Sequence, residues 1–148
     1  MIRFDNTIDI ARAPDEVYAY LADLEHTPEW NWAISSTQKV TLGPVGIGTR
    51  YRQARSVPRP AVEFIEISGL DPGRSIEIAG ALGPFQAHLT YELWPSPVGT
   101  RLVNRVELSP QVPLGPVGGL LGTRVRSSVS ENLEVLKQRL ERPAAPHH

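Results

Sequence analysis

The sequence predicts an α+β fold in which one curved antiparallel sheet of seven strands wraps round a single long C-terminal helix, with two short helices after the first strand. Two observations carry this. From Val117 onward, apolar residues recur at Leu121, Val125, Val129, Leu133, Leu136 and Leu140, spaced by fours and one three, so they form one stripe along a helix. Upstream, residues 36–108 read as six strands separated by Gly- and Pro-rich turns. A stripe about 40 Å long needs an equally long apolar surface, and the sheet supplies it.

Taken in order, Ile2, Phe4, Ile8 and Ile10 alternate with Arg3, Asp5, Thr7 and Asp9, the pattern of a half-buried strand whose one polar inward member is Asn6. Ala13-Pro14-Asp15-Glu16 opens a helix with proline and acids in its first turn, followed by Val17, Tyr18, Leu21 and Leu24. A second short helix is expected over 25–30. The long helix is expected from Pro116, where a missing N–H costs nothing, and Pro143 closes it. Gly118, Gly119 and Gly122 each cost a helix about 1 kcal/mol relative to alanine. Either the helix starts later, or its first turns leave room for something else.

The turns fix a register. Ile67 is expected opposite Ile76, Ile65 opposite Ile78, Ile78 opposite Ala87, and Ile76 opposite Leu89. Across the last hairpin Leu93 meets Leu102, Tyr91 meets Asn104 and Leu89 meets Val106. The reverse face then carries Glu66, Glu77, Gln86, His88, Thr90, Glu92, Arg101 and Arg105, a surface for water.

A length of 148 residues suits one domain, expected over 1–142, with 143–148 a disordered tail in which His147 and His148 read as a tag remnant. Fifteen Lys and Arg against sixteen Asp and Glu give no basic excess for nucleic acid. The absence of cysteine excludes disulfides and thiolate zinc sites. With no signal peptide and no apolar run long enough for a membrane span, a cytoplasmic location is expected. The four histidines do not cluster, and no P-loop or Gly-x-Ser-x-Gly elbow occurs, so no metal and no cofactor is expected.

The candidate functional residues are polar ones on the face that should be apolar. Parity turns Tyr51, Gln53 and Arg55 inward, and the Pro58-Arg59-Pro60 turn sets Arg55 opposite Glu63, Gln53 opposite Ile65 and Tyr51 opposite Ile67. Adding Asn6, Tyr91 and Asn104 gives an inward set in which each unpartnered member would cost about 1–3 kcal/mol. These residues therefore require one another, water or a ligand, and Trp30 either lines the same space or plugs the core beside it.

The order of elements and several motifs resemble the SRPBCC superfamily, whose helix-grip fold is shared by START lipid-transfer domains and the birch-pollen allergens. Ala13-Pro14-Asp15-Glu16-Val17-Tyr18, Pro28-Glu29-Trp30, Gly46-Ile47-Gly48-Thr49, Gly99-Thr100-Arg101-Leu102 and Asn132-Leu133-Glu134-Val135-Leu136-Lys137 are similar to the bacterial polyketide cyclase/dehydrase-like branch. The resemblance covers nearly the whole chain and implies a small hydrophobic ligand (polyketide-, aromatic- or lipid-like) held between sheet and C-terminal helix. The superfamily has no shared catalytic residues to carry over. As an enzyme of cyclisation or dehydration, the chain would use Glu63 as base and Arg55 to stabilise an enolate, with Tyr51, Tyr91 and Asn104 as donors. As a carrier or sensor, the same residues would only orient the ligand. A third reading is a protein-interaction module using Val62, Phe64, Trp94 and Val103 on the outer face. The oligomeric state is left open.

Overall fold

The structure, a computed structural model, describes residues 1–113 and 115–142, and of 117–119 the backbone alone. The expected tail over 143–148 and the side chain of Val117 lie outside the described residues. The chain runs β1 (Ile2–Ile10), α1 (Pro14–Leu21), a 3-10 segment (Leu24–Glu29), β2 (Ile34–Lys39), β3 (Arg50–Arg55), β4 (Ala61–Asp71), β5 (Ser75–Leu82), β6 (Phe85–Ser96), β7 (Gly99–Pro110), a 3-10 turn (Gly115–Val117) and α2 (Gly118–Glu141). The strands form one antiparallel sheet in the order β1-β7-β6-β5-β4-β3-β2.

Local chemistry explains the short elements. Pro14 sits in the first turn of α1 beside Asp15 and Glu16, and Val17 and Leu21 are its buried side. The 3-10 segment is capped by Asp23, whose carboxylate accepts from Glu25 N at 3.4 Å.

Every strand keeps the expected face, but three hairpins pair two residues away from expectation. Ile67 lies opposite Ile78, Ile65 opposite Gly80, Ile78 opposite Leu89, Ile76 opposite Tyr91, Gln53 opposite Glu63, Tyr51 opposite Ile65 and Arg55 opposite Ala61. The reason lies in the turns. Asp71 pairs with Ser75 around three residues with Gly73 at φ +79°, and a bulge follows between Ile67 and Gly69. Leu82 stays in β5 and pairs with Phe85, so the next turn is Gly83-Pro84. The β6–β7 pairings of Leu93, Tyr91 and Leu89 fall as expected.

Helix α2 begins at Gly118, after the 3-10 turn rather than at Pro116. It runs alongside β1 in the same direction. A Cβ on Gly122 would lie 3.1 Å from Ile2 Cγ2, and fifteen residues later Lys137 Nζ donates to Asp9 O at 2.6 Å. The helical and extended rises both make this span about 22 Å, so the two elements stay in step. One of the three glycines is thereby explained: Gly122 lets the helix approach Ile2 closely.

The core divides into two clusters. The larger joins Ile10, Val17, Leu21, Leu24, Ile67, Ile76, Leu93 and Leu102 to Leu133 and Leu136 of α2. The smaller gathers Phe85, Ala87, Val106 and Leu108 under Leu121 and Val125. Leu82 and Leu89 touch both.

Candidate functional site

A cavity of about 70 Å³ opens where the two clusters part. Its floor is sheet: Gln53 and Arg55 from β3, Ile65 from β4, Ile78, Gly80 and Leu82 from β5, and Ala87, Leu89 and Tyr91 from β6. Its roof is Leu21 of α1, then Leu24, Thr27, Trp30 and Asn31 in and after the 3-10 segment. No described residue of α2 lines it, so the space lies under the 3-10 segment rather than under the long helix as the sequence suggested. Glycine is required at position 80 in this floor, since a Cβ there would meet Phe64 O at 2.6 Å and Ile65 Cγ2 at 2.9 Å on the paired strand β4.

The expected site residues separate into three groups. Gln53, Arg55, Trp30 and Tyr91 line the cavity. Trp30 and Tyr91 are both buried and meet edge to face, ring centroids 6.5 Å apart. Burial pushes the Tyr91 phenol up to about 12, so it is a neutral hydroxyl at any physiological pH.

Glu63 stands one layer behind. Buried at 6 % exposure, it accepts from Arg55 Nε at 3.0 Å on each oxygen, from Gln53 Nε2 at 3.2 Å and from Gly83 N at 2.9 Å. Thr37 Oγ1 donates to Gln53 Oε1 at 3.5 Å and extends the chain to β2. Diagonal neighbours across β3 and β4 thus form the ion pair that the sequence placed directly opposite each other. Arg55 spends only Nε on Glu63. Its two terminal nitrogens have no acceptor among the described residues, and its side chain is 18 % exposed at the cavity's edge.

Asn6, Tyr51 and Asn104 do not line the cavity. Asn104 is fully buried opposite Asn6, its amide donating to Thr90 O at 3.3 Å. Tyr51, 1 % exposed, sits in the larger core cluster, where desolvation raises its phenol. Tyr51 Oη, Asn6 Nδ2 and Asn104 Oδ1 are buried without a hydrogen-bond partner among the described residues.

The sequence reading missed the clasp that holds the roof. Arg139 of α2 donates to Glu29 Oε1 at 2.8 Å and to Tyr20 Oη at 3.2 Å, and Tyr20 Oη donates to Glu29 at 3.0 Å. His26 stacks on Tyr20 with ring centroids 4.4 Å apart and meets Glu29 through Nδ1 at 2.8 Å. That His26 contact, more than Tyr20 or Arg139, holds the Glu29 carboxyl below its ordinary value. A His-x-x-Glu spacing on one helical turn was the available signal. His88 lies on the outer face as parity requires, 3.3 Å from Glu77. The outer apolar residues fall apart: Phe64 is level with the start of β6 and Trp94 lies near its end, about 25 Å along the strand.

An open antiparallel sheet gripping one long helix, with a roofed cavity between apolar clusters, defines the helix-grip class of small α+β domains. The chain belongs to the family described as polyketide cyclase / dehydrase and lipid transport, whose model matches residues 1–141. Among solved structures, the protein TTHA0849 from Thermus thermophilus superposes with a TM-score of 0.67 at 25 % identity, covering 95 % of this chain and 93 % of that one. A START superfamily protein from Mycobacterium smegmatis gives 0.81 at 15 % identity, covering 95 % and 98 %. The Zhui aromatase/cyclase from Streptomyces sp. R1128 gives 0.79 at 14 % identity, covering 95 % and 93 %. The last two establish the fold alone. No curated protein matches the chain by sequence. No helix among the described residues is long and apolar enough to cross a membrane.

Proposed function

We propose that this chain binds a small hydrophobic ligand bearing one anionic or strongly accepting oxygen, and that Arg55 is the group that recognises it. The observation carrying this reading is the Arg55 guanidinium, fixed by Glu63 through one nitrogen while its remaining donors, at the edge of an apolar cavity, have no acceptor among the described residues. A planar fork held in this way is preorganised for a carboxylate, enolate or phenolate oxygen. Ile65, Ile78, Leu82, Leu89, Trp30 and Tyr91 would cover the apolar body.

Size decides how binding proceeds. A cavity of about 70 Å³ is about half the volume of a roughly 150 Å³ cavity that takes up benzene. Binding therefore widens the space, and the roof is the part able to yield. It is a 3-10 segment joined to α2 by the exposed Arg139–Glu29–Tyr20 contacts, whereas the floor is a continuous hydrogen-bonded sheet.

The placement of Glu63 favours a binder over an enzyme that uses it as base. Its oxygens are engaged by three donor groups, and Gln53 and Arg55 stand between it and the cavity. Cyclisation or dehydration on this scaffold would instead rest on Arg55 polarising a carbonyl and on the fold holding the chain in a reactive pose. Native mass spectrometry of freshly purified protein, with titration of the anionic fluorophore anilinonaphthalene sulfonate, tests the reading. Binding should fall at least tenfold in Arg55→Met and in Ala87→Trp, which fills the cavity. A protein that carries no small molecule and binds no probe, or whose binding ignores both substitutions, overturns it.

A further inference from the structure

The end of the molecule where the cavity opens differs in charge from everything else. Of the partly exposed lining residues, Thr27, Asn31, Arg55, Gly80, Leu82 and Leu89, four lie at one end of the sheet: Asn31 beside the start of β2, Arg55 at the end of β3, and Gly80 and Leu82 near the end of β5. Ser56 N donates to Ala33 O at 2.9 Å, Gln111 N to Pro84 O at 2.9 Å and Gly83 N to Glu63 at 2.9 Å, which draws the surrounding loops together at that end. Residues 30–36, 54–62, 80–88 and 108–130 contain Arg55, Arg59, Arg124 and Arg126 and no Asp or Glu. The remainder of the chain therefore holds 15 − 4 = 11 basic residues against all 16 acidic ones. Arg59, Arg124 and Arg126 have no acidic partner among the described residues, whereas Arg3 at the same end is offset by Glu107 at 3.7 Å.

The same rim displays apolar side chains to solvent: Trp32 at 59 %, Val112 at 56 % and Leu120 at 65 % exposure, from three separate segments. The helical phase puts Arg124 on the side of α2 that carries Leu120, one turn earlier. Arg139 faces the roof, through Glu29 and Tyr20, and Arg124 lies fifteen residues earlier, about 60° round the helix from it.

We propose that this rim docks the protein on an anionic lipid surface, with Trp32, Val112 and Leu120 entering the interface and Arg59 and Arg124 meeting lipid phosphates, so that the cavity faces the bilayer. It builds on the ligand reading: a hydrophobic ligand is stored in lipid, and a mouth pressed to the surface takes it up without crossing water. The chemistry fits a fluid interface. Aromatic and aliphatic side chains set among Arg59, Arg124 and Arg126, with the carboxylates of that end, Glu63 and Glu107, engaged by Arg55 and Arg3, form the pattern that partitions into anionic headgroups. The other exposed apolar loop fits less well. Val40, Leu42, Val45 and Ile47 lie at the opposite end of β2 and β3, where Lys39 donates to Gly43 O and its backbone N–H bonds Glu25, and where Arg50 faces Glu66.

Flotation of the full chain with phosphatidylglycerol–phosphatidylcholine vesicles, against phosphatidylcholine alone, is the test. The protein should float with the first and not the second, and salt should release it. Arg59→Glu and Arg124→Glu should each lower partitioning about fivefold or more, as should Trp32→Ala. These positions are exposed, so unchanged unfolding midpoints confirm intact folding. Quenching by brominated lipid should vanish in Trp32→Phe and persist in Trp94→Phe. Absence of flotation, equal flotation with both vesicles, or flotation that ignores the rim variants and is lost in Leu42→Ser overturns the proposal. Anilinonaphthalene sulfonate binding without vesicles reads the cavity separately. Probe binding without vesicle binding sinks only the docking surface, and the converse sinks only the ligand reading.

Discussion

Replacing Glu63 by Gln removes one charge from a buried carboxylate held by Arg55, Gln53 and Gly83 and changes almost nothing in volume. The carboxylate takes Gly83 N at 2.9 Å and Arg55 Nε at 3.0 Å on one oxygen, and Gln53 Nε2 at 3.2 Å and the same Arg55 nitrogen on the other. The substituted side chain keeps one oxygen, best placed for Gly83 and Arg55. Its new amide nitrogen would face the Gln53 amide nitrogen, donor against donor. That conflict has a local solution: Gln53 turns over, accepts from the new amide and donates to the Thr37 hydroxyl, which now accepts. The remaining cost is the guanidinium of Arg55, left without a counter-ion at 18 % exposure. Breaking a fully buried pair costs about 3–5 kcal/mol and an exposed one at most about 1 kcal/mol, so this partly wet pair should cost about 1–3 kcal/mol. Glu63→Leu, which strands Gly83 N and Gln53 Nε2 as well, should cost more. Urea unfolding with an unchanged slope should report the loss as a lower midpoint. A loss below about half a kcal/mol for Gln, or an equal loss for Gln and Leu, would refute the network as drawn.

Three further outcomes follow from packing and titration. Leu133→Ala, 2 % exposed within the larger cluster, should destabilise by about 2–5 kcal/mol in chemical unfolding, while Val135→Ala, at 40 % exposure two residues away, should cost under about 1 kcal/mol. Gly99→Ala should cost about 2 kcal/mol or more by thermal unfolding, because Gly99 has φ +142° and a Cβ there would lie 2.6 Å from Arg12 O and 2.8 Å from Ile10 O. The folded chain holds the Tyr91 proton more tightly than the unfolded one, with a value raised from 10.0 to about 12. Its contribution, of the order of 2–3 kcal/mol, is therefore present below pH 10 and lost as the pH climbs towards 12. Unfolding midpoints measured across that alkaline range should fall for the parent chain and fall less for Tyr91→Phe.

The sequence showed faces more clearly than pairings, for a geometric reason. Side chains alternate along a strand with period two, so a register displaced by two residues puts every residue on the same side of the sheet. Arg55 was expected opposite Glu63 and lies opposite Ala61, yet Arg55 and Glu63 both point inward and meet diagonally at 3.0 Å. Ile76 was expected opposite Leu89 and lies opposite Tyr91, without changing which residues are buried. The displacements arose where proline and glycine marked a turn but left its length open. In the β6–β7 hairpin Ser96 pairs with Gly99, and the predicted pairings agree. What alternation cannot supply is depth along a strand or distance from a helix. Asn6, Tyr51 and Asn104 share the inward face with Gln53, Arg55 and Tyr91, and parity groups all six. Separating Asn6 and its neighbour Asn104 takes the path of α2, which stays in step with β1 from Ile2 to Asp9 and so covers Asn6, whereas Tyr51 sits further along β3 in the larger cluster, near Asp23 and Glu25. The 3-10 segment roofs the other side of the sheet instead, over β3 to β6. The cavity exists because two covers of different length and stiffness share one curved sheet, and polar residues face open space only where the shorter cover lies above them.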